Sequence, residues 1–493
     1  MASISFSLAS SSANKSKFTP RLGQLTFRHG QSPSQTLDTP GFLATTSRGV
    51  VSHLSRDHLH NTASVQWIHV PFESFLENKP PVLTRSTGPN PAHSFLGFST
   101  EKHLVSLSVR DPSDCAEIPP NGKDFVSARC VQGVRKVTVQ DWKSYAAACK
   151  PDIIFAMSDT MISAPPYSQK RITKSIERSC AWLLDILAPV SSAPPNVFVH
   201  LAGGSSVPAR QTFSRTLTEK VYGKEAELVH PLECLDDGVS GYVFDLAPMR
   251  AQIGASDPYA QGKRTGEAVI ELIQASLDPL PDNKIRLANS AATPHEVLRL
   301  TAGVGIDIFD SHWAQKAANI GIGLNFTFPP PSTATAGKRQ DLGLNLYNNT
   351  YTHDFSTLSG EDSPHCPCLT CSPAPASSFI AHATLDEPTF AGPDFPAPKG
   401  FSRAYIHHLL HTHEMSAHTL LVLHNLAVLD QFFTDIRRML GGGDEQQFHR
   451  AAESFCQYYD EDLAVFQEAT IMWDMVDKAR GKGRLMRDKP DDV

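Results

Sequence analysis

Apolar and polar positions along the first part of the chain follow two alternating periods. Short apolar runs recur: "DIIFAMS" (152–158), "NVFVHLAGG" (196–204), "SGYVFDLA" (240–247), "IRLANS" (285–290) and "IDIFDS" (306–311). Their length and β-branched content predict buried strands. Between them lie stretches with helical spacing. In "SQKRITKSIERSCAWLLDIL" (168–187), Ile172, Ile176, Cys180, Leu183, Leu184 and Leu187 fall on one face. "TPHEVLRLTAGVG" (293–305) opens with Thr293 as N-cap, Pro294 at the first helical position and Glu296 completing a capping box. At the start, "SISFSL" alternates with period two and predicts a strand, a turn and then "RLGQLTF". Strand–helix alternation sustained over this length predicts a parallel α/β fold, either a closed barrel or a doubly wound sheet. No GxGxxG follows a strand, which counts against a dinucleotide-binding fold.

Two stretches break the pattern. Residues 329–343 and 372–399, the second with six prolines, read as surface insertions. After residue 400 the chain becomes helical, up to the Gly441-Gly442-Gly443 stop. One final helix is predicted over about 445–477, followed by a charged tail whose basic half reads as solvated.

Composition narrows the class. The chain has 493 residues, 41% hydrophobic and 19% charged, as in a soluble globular protein. No run approaches the roughly 18 apolar residues that span a bilayer. A net charge of -7 gives no global attraction to nucleic acid. An RNA contact therefore needs a local basic patch or a partner that supplies one. The first acidic residue is Asp38, and the Ser-rich start resembles a transit peptide. Its period-two alternation favours the strand reading instead. No secretory apolar region is present, and the cysteine count, nine, is odd. Both point to a reducing compartment, so the Asn325-Phe326-Thr327 glycosylation match is chance.

Three cysteines sit within six positions: "HCPCLTCSP" (365–373) holds Cys366, Cys368 and Cys371. In a reduced protein, three thiolates at this spacing can converge on one ion, and Zn²⁺ is the default for a sulfur-rich tetrahedral site. An iron–sulfur cluster wants a fourth cysteine, and the only later one, Cys456, lies in a predicted helix. The fourth zinc ligand should be a downstream histidine. His407, His408, His411, His413, His418 and His424 all qualify, and spacing does not choose among them. A closed four-ligand site holds structure and does no chemistry.

The cysteines followed by "SRAYIHHLL" (402–410), Glu414, "HN" (424–425) and "IRRML" (436–440) resemble the C-terminal signature of the tRNA-guanine transglycosylases. That family's fourth zinc ligand is the His of its His-Asn pair, which implies His424 here. "RLGQL" (21–25), "DTPGFLATT" (38–46), "GVVSHL" (49–54), "TPHEVL…GVGIDIFD" and "HDFSTL" (353–358) extend the resemblance over most of the chain. The implied fold is an irregular (β/α)8 TIM barrel with an inserted zinc-binding subdomain and C-terminal helices. The expected parts are 1–358 (N-terminal hairpin and most of the barrel), 359–440 (zinc subdomain and adjoining helix) and 441–493 (C-terminal helix and charged tail).

The family exchanges guanine at the anticodon wobble position for queuine or its precursor. A carboxylate attacks the ribose C1′, and the incoming base displaces the enzyme from a covalent intermediate. By resemblance, Asp310 in "FDS" stands at the nucleophile position and Asp159 in "SDTM" at the base-binding one. The other parts are missing. The Asp-Ser-Gly-Gly-Phe-Gln motif is absent, with only Asp111 nearby. Ala202-Gly203 replaces a Gln-Gly pair, "LAPMR" (246–250) replaces "LAVGE", and "SHWAQKAANIG" (311–321) carries neither family arginine. Asp310 and Asp159 are then vestigial. The pattern resembles a non-catalytic, zinc-bearing subunit. The resemblance implies a heterodimer with a catalytic subunit, tRNA engaged through the complex, and zinc-subdomain residues at the interface. It further implies a cytoplasmic location, with room for peripheral association with the mitochondrial outer membrane. An active transglycosylase using Asp310 and a zinc-stabilised scaffold are the competing readings.

Overall fold

The computed structural model describes residues 2–9, 16–161, 166–189, 196–256, 263–331, 339–360, 366–373 and 400–481. Most of the 372–399 stretch, residues 332–338 of the other insertion, and the end of the charged tail lie outside these. The described chain divides into two compact units. The first comprises 1–52, 65–313 and 433–453, and the second 53–64, 314–432 and 454–493.

The first unit is a closed parallel barrel. In sheet order its eight strands are Gly41–Ser47, Trp67–Pro71, Leu104–Ser108, Ile153–Phe155, Asn196–His200, Val239–Asp245, Ile285–Asn289 and Ile308–Asp310. Ile308–Asp310 pairs back on Gly41–Ser47, with Asp310 opposite Leu43, and closes the ring. Of the two topologies open to the alternation, the barrel is the one formed. Leu104–Ser108 and Ile285–Asn289 are buried at every position. Their apolar runs do not alternate because helices cover one face and the barrel core fills the other.

The N-terminal strand prediction holds. Ala2–Leu8, Gly23–His29 and Gln35–Thr39 form an antiparallel sheet, Ala2 opposite His29. Leu25, Phe27 and Leu37 from this sheet share one apolar cluster with Trp67, Phe155, Phe198 and Ile285 of the barrel strands. Burying each such side chain contributes about 1.5–3 kcal/mol. A polar clasp fixes the same join. The Asp152 carboxylate accepts from the amides of Ala2 (2.9 Å) and Val105 (2.8 Å), and lies 2.7 Å from His29 Nε2 and 3.2 Å from His93 Nε2. All three side chains are buried. This cluster is better held by hydrogen bonds than by a metal. His93 Nδ1 has no partner, so a ligating Nε2 would leave a buried N–H unsatisfied.

Burial raises the Asp152 pKa, but the His29 and His93 hydrogen bonds outweigh it and hold the carboxyl well below the usual range. A depressed carboxylate pKa contributes stability above the unfolded value, near 4, that is lost as pH falls below it. Asp152→Asn is therefore expected to flatten the acid limb of the stability profile between about pH 5 and pH 3. Urea midpoints across that interval check this, and an unchanged slope would rule out the clasp as its origin.

Three local expectations are corrected. The helix Gln169–Leu187 forms, capped by Ser168, but its buried residues are Ser175, Ser179, Trp182, Leu183 and Ile186. Of the six apolar positions expected on the core face, only Leu183 is fully buried. The face turns because polar residues bind Asp159: Ser175 Oγ donates to its carbonyl (2.7 Å) and its amide donates to Ser179 Oγ (3.0 Å). The capping box at Thr293 is half formed. Thr293 accepts from the Glu296 amide, whereas the Glu296 carboxylate takes the amide of Ala292 (2.7 Å) and the Arg250 guanidinium. The single final helix is two, Glu445–Tyr458 and Ala464–Gly481. Asp460 caps the second through the amide of Ala464 (2.8 Å), and Leu463 sits at φ 57°.

The second unit holds the hairpin Ile322–Leu324 and Gly343–Asn345, the helix Arg403–His411 and most of Met415–Gly441. Among the described residues, no helix is long and apolar enough to cross a membrane.

Candidate metal centre and barrel mouth

The loop after residue 365 and the long helix Met415–Gly441 meet at four side chains. Cys366, Cys368, Cys371 and His424 place their ligand atoms within 4.8 Å of one another. His424 Nδ1 lies 3.7 Å from the sulfurs of Cys366 and Cys368 and 3.5 Å from that of Cys371. A hydrogen bond on its far side orients His424 toward the sulfurs. Nε2 donates to the Leu324 carbonyl (2.9 Å), so Nδ1 is the bare nitrogen and faces the sulfurs. The adjacent Asn425 holds that strand in place. Its carboxamide accepts from the Leu324 amide (2.8 Å) and donates to the Ile322 carbonyl (2.9 Å). The loop is fixed as well, because Thr370 Oγ1 donates to the Leu420 carbonyl (2.7 Å). Three of the five competing histidines bond elsewhere: His407 with the carbonyl of Leu346, His411 with that of Tyr347 and His418 with that of Ala318. These four side chains can hold a metal ion.

The barrel mouth is arranged differently. Asp310 ends its strand, only 1% exposed, and takes the Ser290 amide at 2.6 Å. Its other oxygen has no partner. Burial pushes its pKa up to about 7, against the opposing amides of Ser290 and His312. A nucleophilic carboxylate must be ionised and reachable, and burial disfavours both here. Asp159 is fully buried and fully engaged. Arg171 grips it with both guanidinium nitrogens (2.7 and 2.9 Å), Arg178 adds a third contact (3.1 Å) and Asn121 a fourth (2.9 Å). No lone pair remains for the edge of a base. Asp111 is occupied by the amide and hydroxyl of Ser113.

Two small cavities open at the C-terminal ends of the strands, of about 50 and 40 Å³. His200, Asp245 and Pro248 line both, and Ala202 and Met249 close the second. Asp310 lines neither. A cavity of about 150 Å³ admits benzene, so these spaces do not admit a purine.

Sequence reasoning missed the two arginines that lock Asp159. They sit seven residues apart, two helical turns, directly after "SDTM", and that spacing was the available signal. It also missed Glu73, whose carboxylate takes the amides of Asp111 (2.8 Å) and Arg129 (3.2 Å). Burial pushes Glu73 up to about 7.

The closed parallel barrel and the Cys3His cluster fit the TIM-barrel fold of the tRNA-guanine transglycosylases. The family model described as queuine tRNA-ribosyltransferase matches residues 16–461, and the chain belongs to that family. It is similar to proteins named queuine tRNA-ribosyltransferase accessory subunit 2. The human protein is 26% identical over 85% of this chain and 93% of its own length. The Drosophila pseudoobscura pseudoobscura protein is 25% identical over 86% and 87%. The Schizosaccharomyces pombe protein is 23% identical over 88% and 79%.

Proposed function

We propose that this chain is the non-catalytic subunit of a queuine tRNA-ribosyltransferase, assembling with a catalytic subunit that exchanges guanine for queuine at the tRNA wobble position. The locked Asp159 carries this reading. A carboxylate spent on two arginines does not read guanine, and the neighbouring cavities are too small for one. Asp310, buried and lining neither cavity, supports it.

The cluster Cys366, Cys368, Cys371 and His424 is assigned to one structural Zn²⁺. Zinc bonds of about 2.3 Å to sulfur and about 2.0–2.1 Å to nitrogen put tetrahedral S and N ligands about 3.6 Å apart. The observed 3.5–3.7 Å separations support that assignment. Four protein ligands leave no open position, so the metal would stiffen the fold and supply no Lewis acid to substrate.

An exposed aromatic face supports the partner role. Phe401 and Tyr405 stack at 5.8 Å and are 36% and 45% exposed. Phe355 is exposed beside them, its neighbours Asp354 and Ser356 accepting from the amides of Ala404 and Arg403. The Phe401 amide donates to the Thr370 carbonyl (2.8 Å) inside the metal-binding loop. A metal that orders this loop would thus order the face.

The test is base exchange with labelled guanine. The isolated chain is expected to show none, the mixture with the catalytic subunit full turnover, and Asp310→Asn in that mixture a rate within about twofold of the parent. Exchange by the isolated chain, or a large rate loss with Asp310→Asn, would transfer the assignment to an active enzyme.

A further inference from the structure

A further cavity is lined by residues other than the candidate metal ligands. It belongs to the second unit, spans about 450 Å³ and falls within the range of small-ligand pockets, about 300–1,000 Å³. One wall lies beyond the family match and another in a stretch read from sequence as a surface insertion. The family match ends at residue 461, and the helix Ala464–Gly481, which contributes Val465 and Glu468, begins beyond it. The stretch read from sequence as an insertion, 329–343, contributes Gln340 and Asp341.

The walls are held from several sides. Gln340 donates its amide to the Tyr458 carbonyl (2.9 Å) and accepts from the Asp460 amide (2.8 Å). The Asn325 amide donates to the Leu342 carbonyl (3.0 Å), and Asn345 reaches the Met472 sulfur on the added helix at 3.2 Å. The lining is aromatic and acidic. Phe326, Tyr351, Tyr458 and Tyr459 face Asp341 and Glu468, with no lysine or arginine among the described lining residues. The Tyr458 and Tyr459 rings meet at 83° with centroids 4.8 Å apart, and Phe326 stands edge-on to Tyr459. Glu468 is exposed and makes no hydrogen bond or ion pair among the described residues.

We infer that this pocket is a recognition site for an alkylammonium or guanidinium group, carried by a lysine or arginine of a polypeptide or by a free polyamine. Tyr351 and Tyr458, only partly buried, can offer a cation an aromatic face while Phe326 and Tyr459 are buried, and the Asp341 and Glu468 carboxylates supply the opposite charge. The same carboxylates repel phosphate, so the site does not hold an RNA backbone. The cavity exceeds the volume of one ammonium group, and its side-chain amides can bond the groups flanking the charge. This inference does not depend on the proposed role in base exchange.

Isothermal titration of the full, zinc-loaded chain tests it with three probes: acetyl-Gly-Arg-Gly-Lys-Gly-amide, spermidine, and acetyl-Gly-Glu-Gly-Glu-Gly-amide. At least one cationic probe is expected to bind one site per chain, more weakly as salt rises, while the acidic peptide does not bind. Peptide without spermidine assigns a polypeptide source, and tighter spermidine binding a free polyamine. Glu468→Gln, at an exposed position, is expected to weaken binding roughly threefold to tenfold. Tyr351→Ala tests the aromatic wall in the same assay. Absent saturable binding of both cations, equal binding of the acidic peptide, or unchanged affinity in both variants would overturn the proposal.

Discussion

Replacing Cys368 by serine is expected to empty the metal centre and to abolish assembly with the catalytic subunit. Cys368 is buried, and its carbonyl and sulfur both accept from the loop, from the amides of Ser372 (2.8 Å) and Cys371 (3.3 Å). A serine hydroxyl is shorter, harder and protonated at neutral pH, so the site falls from four ligands to three. Structural zinc contributes about 10–16 kcal/mol in small zinc-binding peptides. Even part of that rivals the whole stability of a domain, about 5–15 kcal/mol. The damage has a traceable route. Without the ion the loop loses its anchor on His424, the Thr370 carbonyl no longer fixes the Phe401 amide, and the Phe401–Tyr405 pair loses its support. The barrel has its own core and should persist. Metal analysis should show occupancy falling from one ion per chain to near zero. Hydrogen exchange should rise over 400–432 while the barrel strands stay protected, and co-elution with the catalytic subunit should be lost. Full occupancy in the variant would refute the ligand set. A metal-free variant that still assembles would refute the link between metal and interface.

The sequence made the centre legible only in part, for a physical reason. Three cysteines in six positions are a local signal, because one loop can bring them together. The fourth ligand is not local. Six histidines share the region, and the carbonyl that orients His424 belongs to Leu324, one hundred residues earlier. Only the family resemblance selected it. Barrel alternation was legible for a similar reason: each strand carries its own apolar run, and Thr293 with Pro294 announces a helix start without tertiary help. The face of Gln169–Leu187 was not legible. Apolar periodicity assumes that buried means hydrophobic, and here Ser175 and Ser179 are buried because they bond Asp159. The break at 459–463 was missed because its cause, Asp460 capping the following helix, looks in sequence like one more acidic residue on a solvated face.

Removing both arginines that hold Asp159 is expected to destabilise the barrel unit strongly. In Arg171→Ala/Arg178→Ala, the Asp159 carboxylate, 0% exposed in the parent, keeps Asn121 as the one side-chain donor among those described. Breaking a buried pair from one side costs about 3–5 kcal/mol, because the remaining charge is left without compensation. In a unit of this size that lowers the melting midpoint by roughly 4–8 °C. The carboxylate, not lost packing, should be the cause. Adding Asp159→Asn to the double variant should therefore recover part of the loss, a positive coupling that independent sites do not show. A free base-reading carboxylate would behave in the opposite way. It would tolerate loss of the arginines, and its own replacement would spare the fold while damaging substrate binding. A double variant melting within about 1 °C of the parent would return Asp159 to that role. The expected result instead ties Asp159 to the fold, where its carboxylate is held by Arg171 and Arg178 of the helix Gln169–Leu187.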